Sequence, residues 1–269
     1  SSTALSLLTT QQLSALTATK LNNLDTASVS GLIGSQLASL TTTQTAGLST
    51  DIVASLNTNA IGSLTTAQIV ALTTDQAANL TTKTVNALTT KQIAALETAD
   101  LAVLTSENIA VLTSVQLQAL TTAQINNLTS DQLFSLNSTA LSLLTTSQLA
   151  NLSASNLNFL DVANVLGLNT AQAVGLTTSQ LAGLSASQVA ALSATQLGGL
   201  SAAQVAALNS DALTASQVAA LSASQLGGLS ASQVAALSAT QLGGLSAAQV
   251  AALNVVARSE EHTSELQSP

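Results

Sequence analysis

The chain has no cysteine, methionine, tryptophan or tyrosine, and 269 residues include one histidine, one proline and two phenylalanines. Without cysteine there can be neither disulfides nor thiolate metal sites. Charged residues make up 6% of the sequence and leave a net charge of −8. Nucleic-acid binding calls for a basic stripe, so this balance argues against such a partner. Mean hydropathy is positive at +0.46. Even so, polar Ser, Thr, Gln or Asn interrupts every few residues, and no apolar run approaches the roughly 18 residues of a spanning helix. No membrane insertion is expected.

His262, Pro269 and the sole arginine, Arg258, all lie in the closing segment RSEEHTSELQSP, residues 258–269. That segment breaks with everything before it and resembles the conceptual translation of a short-read sequencing adapter. It is therefore set apart as a non-native tail. The remainder, 1–257, holds nine acids and three lysines, Lys20, Lys83 and Lys91. With no histidine, cysteine or arginine there, a base-activated nucleophile, a thiolate metal centre and an arginine clamp are all missing. The sequence predicts no enzyme, no cofactor and no metal. Glu97, Asp100 and Glu107 are the only carboxylates close enough in sequence to consider as a pair, and no alternating calcium-loop pattern surrounds them.

What the chain does have is a row of leucines. Leu8, Leu16 and Leu24 open a series that falls on every eighth residue as far as Leu208, then resumes out of step from Leu213 to Leu253. A fixed short period predicts one array in which each unit packs on its neighbours, so 1–257 reads as a single domain. A leucine and one further aliphatic cannot offset the entropy of ordering eight residues, so stability must be collective. The array begins at the first residue without an initiator Met or a leader, which predicts a fragment of a longer protein.

Written from its leucine, the unit is L(S/T)xxQ(L/I/V)xx, as in LTTAQINN from Leu120 and LSASQVAA from Leu184. Ser, Thr, Asn or Asp after the leucine is a preferred helix N-cap. Gln three residues later completes a capping box, and the leucine with the aliphatic after the Gln forms a hydrophobic staple. The acids agree with this frame. Asp25, Glu97 and Asp161 fall at the cap, Asp51, Asp75, Glu107, Asp131 and Asp211 at the second helical residue, and Asp100 at the third, where a helix dipole favours negative charge. The small pairs that close each unit, such as Gly198 and Gly199, suit a left-handed helix terminus or a close contact.

The predicted fold is all-α, a solenoid of very short capped helices, one per octapeptide. One continuous helix is excluded because eight residues advance about 80° beyond two circles, so the leucines would spiral. A β-solenoid stays as the alternative, although Ala-rich units and glycine pairs suit strands poorly. Units ending VAA alternate with units ending LGG in the C-terminal half, which predicts a sixteen-residue repeat with two helices per coil. Residues 184–209 recur identically at 229–254. Between the copies, the unit at 208–213 is three residues short, lacks its Gln and staple, and is expected to bend the array.

The opening LTTAQI or LTASQV is similar to the start of the DNA-reading repeats of TAL effectors over about six residues per unit. The longer helix pair, the base-reading loop and the basic character of that family are missing, so no DNA-binding role is carried over. Across its whole length the array resembles the Thr/Ser/Ala-rich repeat tracts of large bacterial secreted and surface proteins, including adhesin-like ones. That resemblance implies an extracellular or cell-surface stalk or spacer. As an alternative, the second threonines Thr66, Thr74, Thr82, Thr90 and Thr122 form a candidate ligand face for a protein or glycan surface, with the Gln row as a companion. N-capping alone also accounts for many threonines. Phe134 and Phe159 are expected to be packing residues.

Overall fold

The computed structural model describes residues 7–24, 26–29, 31–158, 160 and 162–253. Every regular element among them is helical, so the β-solenoid alternative falls. Asp25, Phe159, Asp161 and the tail 258–269 lie outside the described residues. The chain divides into two compact units, residues 1–135 and 136–269.

The octapeptide at Leu64 shows how each unit folds. Leu64 is buried, Thr65 is extended at φ −71° and ψ 158°, and the helix runs Thr66–Val70. Thr65 Oγ1 accepts from the Gln68 N–H at 3.2 Å, and Gln68 Oε1 accepts from the Thr65 N–H at 2.7 Å. The predicted capping box is thus formed, and it recurs at Thr121, Ser185 and Ser238 among others. The staple forms as well: Leu184 and Val189 are both buried.

Helix ends depart from the expected left-handed terminus. No described residue, glycine included, has positive φ. Instead the last residue stays right-handed, as Ala71 does at φ −84° and ψ −4°. The next leucine closes the turn, its N–H donating to the aliphatic three residues back, as Leu72 does to Ile69 at 3.2 Å. Helices of five or six residues are far below the length that is stable alone. Their carbonyl ends need partners from elsewhere.

Those partners set the coil. In the first unit, Thr66–Val70 packs on Thr90–Ala95, and that helix on Ser114–Ala119, each starting 24 residues after the last. A second column stacks Thr26–Val29, Thr50–Ser55, Thr74–Ala78, Thr98–Ala102 and Thr122–Asn126; a third stacks Thr58–Gly62, Thr82–Asn86, Ser106–Ala110 and Ser130–Ser135. One coil therefore holds three helices, not the two expected. The alternation of VAA with LGG does not mark the sides of a coil. Sixteen and twenty-four share a period of eight, so each column alternates instead, as where Ala194–Gly199, Ala215–Ala220 and Ala239–Gly243 stack in the second unit.

That stacking has a recurring contact. At Gly183, Gly199 and Gly228 the last residue of an octapeptide meets the first helical residue of the helix one coil earlier in its column, whereas Gly244 would meet Ala219. A Cβ on Gly228 would lie 2.8 Å from Ala202 Cβ, and one on Gly183 would lie 2.8 Å from Ala154 Cβ. Gly198, one place earlier in its unit, would meet nothing within 4 Å.

The short unit keeps its place in the coil. Asn209 caps a single 3-10 turn, Ser210–Ala212, by accepting from the Asp211 N–H at 3.2 Å. This turn packs on Ala186–Ala191 on one side and Ala231–Ala236 on the other, so it serves as one whole side. Ser210 is buried where other units place their aliphatic. The two identical copies consequently stack in the same columns.

Candidate functional site

The glutamines are not a surface row. Gln68, Gln92, Gln116, Gln124 and Gln132 are each no more than 2% exposed. While Oε1 closes the capping box, Nε2 reaches the coil before. Gln92 Nε2 donates to the carbonyls of Ile61 and Leu64, both at 2.8 Å. Gln124 makes the same pair with Ile93 at 2.9 Å and Leu96 at 2.7 Å, and Gln180 with Leu149 at 2.6 Å and Leu152 at 2.7 Å. Each amide therefore joins a helix start to the carbonyl end of a helix in the previous coil, where the backbone has acceptors left over. The capping box was visible from Gln spacing; the use of the other half of the amide was not, because it depends on the coil length.

Thr66, Thr74, Thr82, Thr90 and Thr122 are all exposed first helical residues. They do not share one face. Thr66 and Thr90 lie in one column, Thr74 and Thr122 in another, and Thr82 in the third. The column of Thr74 and Thr122 is the most regular, with threonine at 26, 50, 74, 98 and 122 in five successive coils. Its flank is acidic, with Asp51 and Asp75 at the second helical residue and Glu97 at a cap. Thr82 lines a groove of about 540 Å³, with Asn57, Thr58, Thr81 and Lys83 beside it. Phe134 is 68% exposed and packs into no core.

The acids follow the dipole frame in part. Glu107 sits on the surface, and its own backbone N–H together with the Thr105 hydroxyl holds its carboxyl below the ordinary range. Glu97 stands at an N-cap but makes no side-chain cap hydrogen bond. Asp100 contradicts the frame. It occupies the glutamine position, is 2% exposed, and its Oδ2 is buried with no hydrogen-bond partner. Burial, and then the neighbouring Glu97, push its carboxyl above the ordinary 3.8. Desolvation outweighs the helix dipole there because the third helical residue points into the joint between coils. Among the described residues no three acids or histidines gather as a metal site, and no helix is long and apolar enough to cross a membrane.

The stretch Ala119 to Gln124 reads ALTTAQ: helix end, buried leucine, cap, first helical residue, spacer and cross-coil amide. Residues 51–82 and 93–130 match the ALTTAQ repeat. Both matches fall in the first unit, where the ALTTAQ frame repeats three times per coil. A search of curated proteins gave no match. Among solved structures the chain is similar to the leucine-rich repeat-containing protein LegL7 from Legionella pneumophila, at 13% identity over 80% of each chain. The TM-score of 0.24 is too low to carry a common fold.

Proposed function

We propose that this array is a non-catalytic structural scaffold, a stalk or spacer belonging to a secreted or cell-surface protein. The observation that carries the reading is where its polar chemistry goes. The glutamine amides, the most numerous recurring polar groups with two hydrogen-bonding ends, are buried and engaged by the array's own backbone. Caps take the Ser and Thr hydroxyls that follow the leucines. Such a chain spends its hydrogen-bonding capacity on cohesion between coils, which suits a load-bearing or spacing role. The acidic charge supports a partner other than nucleic acid.

A second reading rests on the threonine column at 26, 50, 74, 98 and 122, which offers hydroxyls at one interval to a protein or glycan surface. One experiment separates the two. The chain is incubated with insoluble polysaccharides and with immobilised surface glycoproteins, and retention is measured. The scaffold reading expects no retention. Retention that Thr74→Ala, Thr98→Ala and Thr122→Ala together abolish, with unchanged far-ultraviolet circular dichroism, would overturn it in favour of a binding module. Detection of the repeat only in the cytosol of its source cell would sink the proposed location.

A further inference from the structure

Asp100 marks the place where the cross-coil joint changes chemistry. Its counterparts Gln92, Gln116 and Gln124 each donate to carbonyls 28 and 31 residues earlier. In that register the acceptors for Asp100 belong to Leu72 and Ile69. The next octapeptide shows that a side chain one methylene shorter than Gln still spans the gap: Asn108 Nδ2 donates to the Leu80 carbonyl, 28 residues back, at 2.9 Å. Asp has the shape of Asn, but as a carboxylate it has no donor. A buried carboxylate facing carbonyl oxygens would leave both sides unsatisfied and a charge desolvated. A neutral carboxyl has one O–H to give.

We propose that Asp100 is held as a neutral carboxylic acid whose O–H donates to the Leu72 carbonyl, so that this joint between coils binds a proton and loosens when the proton leaves. The elements around it add no cation to hold a carboxylate. The helix before it in the column carries Asp75, the helix after it, Thr122–Asn126, carries no ionisable group, and Glu97 sits at its own N-cap. Lys91 and Glu107 lie on the flanking octapeptides at exposed second helical residues. Burial and Glu97 both act in the same sense, holding the carboxyl above 3.8. A folded-state value raised in this way means stability that is full below 3.8 and falls as pH rises through the folded value.

The test follows the Asp100 carboxyl carbon by NMR titration in the full chain, and amide exchange of residues 97–104 at pH 5 and pH 8 after correction for intrinsic rates. The expected midpoint lies above the ordinary carboxylate range of about 3.9, and exchange at pH 8 is faster by about tenfold for each unit of that rise that falls within the interval. Asp100→Asn keeps the shape and supplies a permanent donor, so its corrected exchange is the same at both pH values. A midpoint at or below the ordinary range overturns the proposal, as does the same pH response in Asp100→Asn. Stabilisation of the wild type, but not of Asp100→Asn, by sodium or calcium chloride at pH 8 beyond that given by equal ionic strength of a large cation also overturns it, since a metal ion then takes the proton's place.

Discussion

Two stretches, residues 82–110 of the first unit and 170–243 of the second, carry opposite defects. The first keeps its octapeptide length but interrupts the glutamine series, with Thr84, Asp100 and Asn108 at the amide position. The second loses three residues at 208–213 but has Gln at that position in every α-helix from Thr170–Val174 to Ala239–Gly243. The length defect heals within one coil. Gln217 and Gln225 find their carbonyls 25 and 28 residues back, in place of 28 and 31. By Gln241 the original spacing has returned, with Ser210 and Leu213 as acceptors. The donor defect heals at Asn108, which still reaches the Leu80 carbonyl, but not at Asp100, which as a carboxylate has no donor and keeps an oxygen without a partner. Cohesion between coils thus depends on the amide more than on the count of residues.

The strongest way to break that comparison is to create a donor defect in a regular coil. Gln92→Ala strands the Leu64 carbonyl and the N–H of Thr89, leaves the Ile61 carbonyl with the Leu64 N–H alone, and should destabilise the first unit by roughly 3 kcal/mol. Amide exchange resolved along the chain is the suitable measurement, because repeat arrays need not unfold in one step. A loss below about 0.5 kcal/mol, the scale of an ordinary surface change, would show that the amide is dispensable. Gln92→Glu sharpens the same point. Its neutral form can donate, so the variant should approach wild type at low pH and weaken as pH rises through its raised folded value.

The next effect in size concerns packing along a column. Gly228→Ala puts a methyl 2.8 Å from Ala202 Cβ and 3.1 Å from its carbonyl oxygen, and should cost about 1–3 kcal/mol. Gly198→Ala meets nothing within 4 Å and gains helix propensity, so it should stabilise by up to about 1 kcal/mol. Thermal unfolding of the two variants side by side reads both signs. Equal shifts would remove the distinction between the last and the penultimate residue of the unit.

Much of the local structure was legible because it is written within eight residues. Leu64, Thr65, Gln68 and Ile69 state a cap, a box and a staple, and the folded octapeptide contains all three. The number of helices per coil was not legible, since no residue within one octapeptide specifies which later helix it meets. The VAA and LGG alternation pointed to two because it records contacts along a column. The candidate threonines are exposed, but their division among three columns follows from the 24-residue coil and not from their spacing in sequence. Asp100 was read as a dipole acid for the same reason: its position in the helix was legible, and its position between coils was not.

The smallest expected effect concerns the acid limb of stability, where Asp100 and Glu107 have opposite signs. The Asp100 carboxyl is raised, so its contribution grows as pH falls toward 3.8. Glu107 is lowered by its backbone N–H and Thr105, so its contribution is present above its ordinary value of 4.5 and is lost as pH falls through the depressed value. Glu107 is on the surface, where solvent screens the interaction, so its share is slight. In an Asp100→Gln background the rise toward low pH should vanish while the Glu107 decline persists. Adding Glu107→Gln should then flatten the remaining local dependence, read as amide protection of residues 106–110 between pH 3 and pH 6. Protection that still falls as steeply with both residues replaced would mean that neither carboxyl governs the acid response of this coil, and the joint at Asp100 would be one contact among many.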